Sequence, residues 1–457
     1  MPSRKLFGTD GVRGVINEWL TPEQVTRLAL AIGSFFKEGS KLLVGRDSRA
    51  GNSFIIKSVM SALLSTGIKV YYAGLVPTPA LQYYVKHHDF DGGIMVTASH
   101  NPPEYSGIKV IMSDGIELPR EAEKEIEEIY WELRFRRASW STLVGGVKSV
   151  DDVNDFYVRG VLKLLDTEKI RKQGIKVVAD PANNVGALTT PKLLRALGVK
   201  VTVINGDLSH VPDRLPEPVP ENLNETATIV KALRADLGIA HDGDADRAIF
   251  IDDKGRVIPG DRSAVLLCRH IIENRGEREP KKVVTAVSSS TLVEDILCKY
   301  GIEVIWTRVG SIDISRTMTS MGAIAGFEEN GGFMYPRHQY VRDGAMASGL
   351  MLELLSTERK RLSELYDEIP KRYIIKTKVS IKSRKEAFKI IEELKAQYGS
   401  RRIIDVDGIK VIGKDYWFLV RPSGTEPVIR VFVESDSEEL AKNIYNEIVS
   451  TIRDLLR

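Results

Sequence analysis

The sequence predicts three related mixed-sheet α/β domains followed by a smaller C-terminal α+β domain, arranged around a central cleft. The chain has 457 residues, which is more than one hydrophobic core normally serves. Short apolar strands alternate with amphipathic helices, and this alternation restarts near Asp151 and again near Gly260. From about Lys371 the pattern changes to short strands with two helices. These observations predict domains at residues 1–148, 149–252, 253–368 and 369–457.

The first domain is predicted from a capped helix and several buried strands. Thr21-Pro22-Glu23 is typical of a helix start, with a capping hydroxyl, proline at the first position and an acid in the first turn. Further elements are strands at Leu42–Gly45, Ile68–Ala73, Ile94–Val96 and Gly107–Met112, and a charged helix from Arg120 to about Phe135. Pro102-Pro103 fixes the backbone beyond the third of these strands. Ser99 is therefore expected to be held rigidly at the sheet edge, although an incidental serine in an Asn-Pro turn fits these residues equally well.

The second and third domains each contain an apolar strand that opens into a polar loop. In the second domain strands are predicted at Ile175–Asp180, Lys200–Ile204 and Leu237–Ala240, and an acidic loop follows the last. In the third they are predicted at Val283–Val287, Glu303–Trp306 and Gly322–Phe327, and Glu328-Glu329-Asn330 follows the last. Because the serine loop has the same place after its own strand, the three loops are expected to line one cleft.

Composition restricts the classes of partner. The formal charge of +3 gives no bulk support for binding nucleic acid or a membrane surface. No run approaches the roughly 18 apolar residues of a membrane helix, and no apolar signal segment opens the sequence. Cys268 and Cys298 lie in apolar stretches without metal-ligand spacing, so buried thiols in a reducing compartment are expected. A cytoplasmic protein without nucleic-acid or membrane partners is the resulting prediction.

The acidic loop predicts a metal site. Asp242, Asp244 and Asp246 alternate with small residues, and three carboxylates this close repel unless a cation neutralises them. Hard oxygen ligands suit Mg²⁺ or Ca²⁺ better than zinc. The glycine comes too early for an EF-hand, and strands flank the loop instead of helices. Mg²⁺ is favoured over the alternative of a solvated acidic turn.

Two further loops indicate a phosphorylated sugar. Arg421, Ser423, Gly424 and Thr425 supply a guanidinium, two hydroxyls and a glycine amide, and Arg430 follows on the next strand. These are the groups of a phosphate site, without the lysine of a P-loop, although an ordinary Pro-Ser-Gly turn is the alternative. The carboxylates and amide after Phe327 suit the hydroxyls of a sugar, but this loop alone is weak support.

Together the loops suggest a chemical hypothesis. A phosphoserine is a usable phosphoryl donor when a metal and basic groups stabilise the transferring group. Lys109, Arg13 and Arg247 are the candidates for that stabilisation. The residues therefore predict phosphoryl transfer through a phosphorylated Ser99.

These motifs resemble the four signature loops of the α-D-phosphohexomutases, in the right order along the whole chain. The matching segments are Thr97-Ala98-Ser99-His100-Asn101-Pro102, Asp242-Gly243-Asp244-Ala245-Asp246-Arg247, Glu328-Glu329-Asn330-Gly331 and Arg421-Pro422-Ser423-Gly424-Thr425-Glu426-Pro427. The loop Gly8-Thr9-Asp10-Gly11-Val12-Arg13-Gly14 also fits. That superfamily includes phosphoglucomutase, phosphomannomutase and phosphoglucosamine mutase.

The resemblance implies a role for each loop. Ser99 would carry the phosphoryl group, and Mg²⁺ would lie between it and the three aspartates. Arg247, Lys109 and Arg13 would stabilise the moving group. Substrate would be held by Gly310, Glu328 and Asn330 at the sugar and by Arg421, Ser423, Gly424, Thr425 and Arg430 at the phosphate that does not react. Hexose 1,6-bisphosphate would be the intermediate and activator, and a homodimer is expected by analogy.

The predicted activity is interconversion of hexose 1-phosphate and hexose 6-phosphate, with glucose or mannose as the sugar and glucosamine as the alternative. The alternative functions from other classes are a metal-dependent phosphatase and a non-catalytic sugar-phosphate sensor. Two positions depart from the family pattern. Gly332 stands where many bacterial members carry a histidine proposed as general base, and Phe327 stands where glycine is common. His100 and Lys109 are then the nearest candidates for the base, although His100 could serve only to position its loop.

Overall fold

Residues 5–143, 145–276, 281–423 and 427–456 are described by a computed structural model, and they form four sheets in chain order. Ser149 still pairs in the first sheet and Val257–Ile258 pairs in the second, so two sheets extend slightly past the predicted domain bounds. The predicted fold class is confirmed: three mixed α/β units precede an antiparallel α+β unit.

The first unit contains a sheet in the order β1-β5-β4-β2-β3-β6. Strands β2, β3 and β4 pair in parallel, and β5 returns antiparallel to β4. Thr21 caps the first helix by accepting a hydrogen bond from the Gln24 amide, as its sequence predicts. The elements are β1 Val12–Val15, α1 Pro22–Phe35, β2 Lys41–Arg46, α2 Asn52–Ser65, β3 Lys69–Leu75, α3 Thr78–His87, β4 Gly92–Val96, β5 Tyr105–Met112, α4 Arg120–Glu132 and β6 Lys148–Ser149.

The second unit repeats this arrangement with the order β11-β10-β9-β7-β8. Strand β7 is parallel to β8 and β9, and β10 returns antiparallel to β9. The elements are α5 Val153–Leu162, α6 Thr167–Gln173, β7 Lys176–Asp180, α7 Thr190–Ala196, β8 Lys200–Val203, α8 Asn224–Ala232, β9 Leu237–His241, β10 Ala248–Asp252 and β11 Val257–Ile258.

The third unit has the order β13-β12-β14-β15, again with parallel strands and an antiparallel return. Its elements are α9 Gly260–Asn274, β12 Lys282–Ala286, α10 Leu292–Leu297, β13 Glu303–Thr307, α11 Ser311–Met321, β14 Ala325–Phe327, β15 Phe333–Met334, α12 Gly344–Glu358 and α13 Leu362–Asp367. The serine, acidic and sugar loops thus join β4 to β5, β9 to β10 and β14 to β15. Each loop connects a strand to its antiparallel return, which confirms that they hold equivalent places.

The C-terminal unit is an antiparallel sheet in the order β16-β20-β19-β18-β17. Its elements are β16 Tyr373–Ser380, α14 Arg384–Gln397, β17 Arg402–Ile404, β18 Ile409–Ile412, β19 Tyr416–Pro422, β20 Val428–Ser435 and α15 Glu438–Leu455. The two helices and the sheet share a core of their own, between Ile381 and Ile452.

The largest core crosses the first three units. It runs from Leu43 through α3, α5 and α9 to Ile369. Helix α12 is buried along most of its length, and it packs against α5, α6, α7 and α9. The loops that follow β4, β9 and β14 are therefore carried by units that share apolar packing.

One expectation about the thiols is wrong. Cys268 is buried in α9, but Cys298 is exposed, because the chain leaves α10 there for a surface turn before Gly301. No helix in the described ranges combines the length and apolarity that crossing a membrane requires.

Candidate active site

The serine loop holds Ser99 in a fixed backbone conformation. Ser99 has a φ of 51°, in the left-handed region that non-glycine residues rarely adopt. Its amide donates to Thr97 Oγ1 at 2.9 Å, and Arg49 Nη2 donates to its carbonyl at 2.5 Å. Arg49 also donates to the carbonyls of Asn101 and Pro102, at 2.8 and 2.7 Å. A rigid serine loop is thus observed, and Arg49, which sequence reasoning left without a role, holds it.

The acidic loop lies directly on the serine loop. The Ser99 hydroxyl donates to Asp242 Oδ2 at 2.6 Å. A Cβ on Gly243 would lie 2.6 Å from the Ser99 carbonyl oxygen, so only glycine allows this approach. Ala245 has a φ of 58°, which turns the chain back toward β10. The two loops predicted to share a site do meet.

The three aspartates could hold a cation. One oxygen of each of Asp242, Asp244 and Asp246 lies within 4.8 Å of the others, and all three residues are buried. Among the described residues, the buried atoms Asp244 Oδ1 and Asp246 Oδ1 have no hydrogen-bond partner. Buried carboxylate oxygens without donors are costly unless a cation satisfies them. The donor set therefore fits a hard divalent ion.

The carboxylates have unequal pKa values. Burial raises the pKa of Asp242 well above its usual range, and repulsion from Asp246 and Asp244 adds to this effect. Burial would also raise the pKa of Asp244, but Lys109 and a hydrogen bond from Thr78 Oγ1 at 2.6 Å lower it instead. Because metal ligands must be deprotonated, a bound cation would oppose this rise in the pKa of Asp242.

Lys109 is an ion-paired cation at the centre of the site. Its Nζ lies 3.1 Å from Asp10, 3.0 Å from Asp244 and 3.2 Å from Asp246. Burial would lower the pKa of Lys109, but these three carboxylates outweigh burial and raise it. An ammonium held in this way cannot accept a proton at neutral pH, so the structure disfavours Lys109 as the general base.

His100 remains as a neutral group beside the serine. Its Nδ1 lies 2.9 Å from Arg247 Nη2 and 3.5 Å from Ser99 Oγ. A guanidinium can only donate, so Nδ1 is the acceptor and the neutral ring carries its proton on Nε2. Burial and then the charge of Arg247 lower the pKa of His100 well below its usual range.

The glycine-rich loop near the N-terminus contributes two charges. Arg13 donates to Asn101 Oδ1 at 2.6 Å and to Asp10 Oδ2 at 2.8 Å. Burial raises the pKa of Asp10, but Lys109, Arg342 and Arg13 outweigh it and hold that pKa well below its usual range. Sequence reasoning selected Arg13 and overlooked Asp10, three residues earlier in the same loop.

Arg342 occupies the space beside Gly332, and sequence reasoning missed it. A Cβ on Gly332 would lie 2.4 Å from Arg342 Cδ. The buried guanidinium contacts Asp10 at 2.8 Å, Asp246 at 2.5 Å and Glu328 at 3.1 Å. Arg342 therefore joins the sugar loop to the metal loop. The available signal was a basic residue immediately before the last apolar helix of the third unit.

The sugar loop reaches the site through Glu328, while its other polar groups contact neighbouring segments. Asn330 Oδ1 accepts a hydrogen bond from the Gly332 amide at 3.1 Å. Glu329 accepts from Ser288 at 2.6 Å. Gly310, with a φ of 139°, begins α11 beside the Thr9 carbonyl of the N-terminal loop. Glu328 is linked to Asp246 through Arg342. Gly310, which belongs to the third unit, lies against the N-terminal loop of the first unit.

The phosphate loop begins with paired arginines. Arg421 on β19 lies opposite Arg430 on β20, and Lys378 on β16 lies opposite Arg430 in turn. Like charges directly opposite one another on a sheet are unfavourable unless an anion or acid compensates them. Ser423 belongs to the same loop, and its amide bonds to the Val428 carbonyl. Gly424 and Thr425 lie outside the described residues.

Comparison with known proteins identifies the family of the chain. Models of phosphoglucomutase/phosphomannomutase α/β/α domains I, II and III match residues 4–137, 155–255 and 259–373, and the model of the C-terminal domain matches residues 375–451. The chain belongs to the phosphoglucomutase/phosphomannomutase family. It is therefore an enzyme of the α-D-phosphohexomutase superfamily, an intramolecular phosphotransferase.

Two relatives in this family match over nearly their whole length. A phosphoglucosamine/phosphogalactosamine mutase from Sulfurisphaera tokodaii is 54% identical over 447 residues, covering 97% of this chain and 98% of that protein. A phosphoglucomutase/phosphomannomutase from Thermococcus kodakarensis is 41% identical over 459 residues, covering 99% of both. The family is thus shown, while the two names differ in the sugar.

Solved structures of the family share the fold. A phosphoglucomutase/phosphomannomutase family protein from Burkholderia thailandensis superposes with a TM-score of 0.88 at 24% identity, covering 100% of this chain and 98% of its own. An N-acetylphosphoglucosamine mutase from Aspergillus fumigatus, solved with GlcNAc-6P and magnesium, has a TM-score of 0.63 at 17% identity, covering 99% and 96%. At these identities the likeness concerns the fold.

Proposed function

We propose that this enzyme interconverts the 1- and 6-phosphates of a hexosamine, with hexose phosphates of glucose and mannose as further substrates, through a phosphorylated Ser99. The observation that carries the mechanism is the Ser99 hydroxyl, 2.6 Å from Asp242 in a buried cluster of three aspartates. This juxtaposition places a group that can carry phosphate against a site suited to a divalent cation.

The first step transfers the phosphoryl group of phosphorylated Ser99 to the free hydroxyl of a sugar monophosphate. The sugar oxygen forms a bond to phosphorus, the bond from phosphorus to Ser99 Oγ breaks, and the proton that the sugar hydroxyl loses is regained by Ser99 Oγ. The product is a hexose 1,6-bisphosphate, which is the intermediate and, when supplied from outside, an activator. After the sugar reverses its orientation, the other phosphate returns to Ser99 and the isomeric monophosphate leaves.

The basic residues are arranged to stabilise the charge on the transferring group. Lys109 pairs directly with Asp244 and Asp246. Arg13 pairs with Asp10, and Arg247 Nε lies 3.7 Å from Asp242 Oδ2. Asp242, Asp244 and Asp246 would hold Mg²⁺, which supplies positive charge to the phosphoryl oxygens when bound. Buried cations in fixed positions stabilise developing charge without reorganisation.

Asp242 is the residue best placed to take the serine proton, because it accepts the hydrogen bond of the Ser99 hydroxyl at 2.6 Å. His100 Nδ1 is 3.5 Å from Ser99 Oγ and already accepts a hydrogen bond from Arg247, so His100 would position that guanidinium beside the serine. As phosphate returns to the serine, the hydroxyl loses its proton toward Asp242, and the sugar oxygen that leaves phosphorus takes up a proton. Gly332 offers no side chain for this task.

The assignment of the sugar rests on the relatives. The 54% identical relative bears the name of a phosphoglucosamine/phosphogalactosamine mutase, which favours a hexosamine over the glucose or mannose predicted first. The 41% identical relative bears a glucose and mannose name, which supports the hexoses as second candidates. Sugar phosphates are the proposed partners, and a homodimer is proposed by analogy alone.

The test is a parallel measurement of kcat/KM on glucosamine, glucose and mannose 1-phosphates, with the 6-phosphate and inorganic phosphate quantified separately. We expect glucosamine 1-phosphate to react fastest and inorganic phosphate to be a trace product. Inorganic phosphate as the main product would establish a phosphatase instead. A Ser99→Ala variant should lose turnover and should show no added phosphate by intact mass after exposure to glucose 1,6-bisphosphate. Retained turnover would refute the phosphoserine.

A further inference from the structure

The hairpin from β17 to β18 fastens the C-terminal unit to the third unit. At its start Arg402 pairs with Glu294 at 2.7 Å. In its turn the Val406 carbonyl accepts a hydrogen bond from Arg308 Nε at 3.2 Å. On β18 the buried Lys410 donates to the Ser289 carbonyl at 2.6 Å. Every part of this hairpin thus contacts a segment of the third unit.

Asp407, in the turn of this hairpin, connects the two units at one atom. Its Oδ2 accepts from the Val309 amide at 3.2 Å and from Arg421 Nε at 2.9 Å. Val309 is next to Gly310, and Arg421 begins the phosphate loop. The contact is shielded, since the side chains of Asp407 and Arg421 are 17% and 9% exposed. One carboxylate therefore ties a C-terminal arginine to the loop before α11.

The backbone of the turn is built to lie against that arginine. Gly408 has a φ of +82°, and a Cβ there would lie 2.7 Å from the Arg421 Cα. A larger residue at 408 would separate the turn from β19. The position of Asp407 beside Arg421 Nε is consequently fixed by the packing of the Gly408 backbone as well as by the hydrogen bond from Arg421.

The charges around Arg421 explain why it needs an acidic neighbour. Arg421, Arg430 and Lys378 form a row of cations across three paired strands. Like charges on neighbouring strands repel one another, which disfavours a close approach of the two guanidinium groups. An acid at the end of the row, bound to Nε, orients the guanidinium so that its terminal nitrogens can take a phosphate as a fork.

We propose that Asp407 is a positioning residue for the phosphate that does not react: it orients Arg421 and sets the distance between the phosphate loop and the third unit. This inference rests on the proposed function, because it deepens the role of the phosphate loop. Orientation before binding reduces the entropy lost when the phosphate is bound. Asp407 therefore favours substrate binding without taking part in the transfer.

The variant that tests this role is Asp407→Ala, with Asp407→Asn as its conservative partner. The asparagine keeps an oxygen acceptor for Arg421 Nε and removes the charge, so it also serves if the alanine variant folds poorly. We expect Asp407→Ala to raise KM for the sugar 1-phosphate about tenfold with kcat changed less than about twofold, and Asp407→Asn to lie between it and the parent.

The matched control is Asp405→Ala on the same hairpin. Asp405 is exposed and pairs with Lys395 at 3.3 Å, away from Arg421. We expect its KM to equal that of the parent. A general loss of hairpin structure would shift both variants and would lower kcat as well, which would overturn a specific positioning role. An unchanged or lower KM in Asp407→Ala would also overturn it.

Binding without turnover separates this inference from the proposed function. In a Ser99→Ala background, calorimetric titration with glucose 6-phosphate should show about tenfold weaker binding when Asp407→Ala is added, and no further loss when Arg421→Ala is already present. If the parent enzyme shows no mutase activity but Asp407→Ala still weakens binding in the Ser99→Ala background, the proposed function is rejected and the inference on Asp407 stands. Normal mutase activity with unchanged binding in Asp407→Ala, or no binding by the parent, would reject the inference.

Discussion

At the scale of single residues, Gly332 stands where the family pattern predicts a histidine, and Arg342 lies beside it. The missing side chain at position 332 leaves space that Arg342 fills, with its Cδ 2.4 Å from the place of a Cβ. The guanidinium then compensates Asp10, Asp246 and Glu328 at once. A guanidinium, which stays charged, therefore lies beside the position at which the family pattern predicts a titratable histidine.

Arg342→Ala should lower kcat/KM by at least about a hundredfold, because buried carboxylates would lose a shared cation. Gly332→Ala should act in the same direction by displacing Arg342. In the Arg342→Ala background, Gly332→Ala should then cost less than about twofold, since nothing remains to be displaced. Gly146→Ala is the control, because a Cβ at this position meets open space. Additive losses in the double variant would contradict the coupling.

Lys410 is a second residue with an unusual environment. Its Nζ lies 4.1 and 4.2 Å from the ring centres of Trp306 and Trp417. Burial lowers the pKa of Lys410 to about 7, against an opposing pull from Glu434 and Asp261. In the unfolded chain the pKa is 10.5. Between these two values the unfolded state binds a proton that the folded state does not.

The pH dependence of unfolding should reveal this difference. Stability rises with pH where the unfolded state binds more protons, so the penalty of burying the charged Lys410 is complete below about pH 7 and fades toward pH 10.5. Lys410→Met should therefore be more stable than the parent at pH 7, with a gap that narrows at pH 9. Denaturant unfolding at pH 7 and pH 9 measures the difference in stability between Lys410→Met and the parent. Lys414→Met is the control, because Lys414 is exposed. A gap that widens at pH 9 would contradict the assignment.

At the scale of elements, helix α12 supports the metal loop. Its first residue, Gly344, lies so close that a Cβ would be 2.5 Å from the Arg247 carbonyl oxygen. Asp343 caps the helix by accepting from the Met346 amide at 2.9 Å, and it also accepts from Gln339 at 2.7 Å and from Tyr157. The cap thus anchors both the helix and the backbone that carries Arg342.

Asp343→Ala should destabilise the protein by about 3 kcal/mol, which combines the lost cap with buried donors left unpaired. It should also reduce activity, because Arg342 is the preceding residue. Asp166→Ala is the matched control: Asp166 caps α6 through the Lys169 amide at 3.0 Å and is exposed. That variant should cost about 1 kcal/mol and keep full turnover. Denaturant unfolding and initial rates compare the two, and equal effects would contradict a special role for α12.

At the scale of the whole molecule, the chain has two kinds of core. The first three units share apolar packing that extends from Leu43 to Ile369. The C-terminal unit has its own core, built from Ile381 to Ile452, and it meets the third unit through a smaller apolar cluster that includes Val287 and Trp417. The site therefore lies on a jointly stabilised body, with the phosphate loop on a separately folded one.

A fragment of residues 371–457 should accordingly fold alone. We expect it to unfold in one cooperative transition by circular dichroism, because its core is contained within it. A fragment of residues 149–258 should lack such a transition and aggregate, since folding would leave its face toward the third unit exposed. Cooperative unfolding of the second fragment, or none in the first, would contradict this division.

Local sequence patterns predicted the fold class and the three equivalent loops, and they selected the candidate groups at the centre of the site. Apolar periodicity and turn chemistry are local, so strands, loops and the capped helix at Thr21 could be predicted from neighbouring residues. Ser99, Asp242, Asp244 and Asp246 were found for the same reason: each lies within a short motif after a buried strand. The observed hydrogen bond between Ser99 and Asp242 joins residues 143 positions apart.

Which distant charges compensate one another depends on tertiary packing. Arg342 is 332 positions from Asp10, and Asp407 reaches back 98 positions to Val309. No local sequence pattern predicts such pairs, because they depend on how whole units pack against one another. The same packing makes Lys109 a fixed cation instead of a base and leaves Cys298 on the surface. Sequence motifs predict the reacting groups, whereas the packing of the units sets the charge states of those groups and the contacts that hold them.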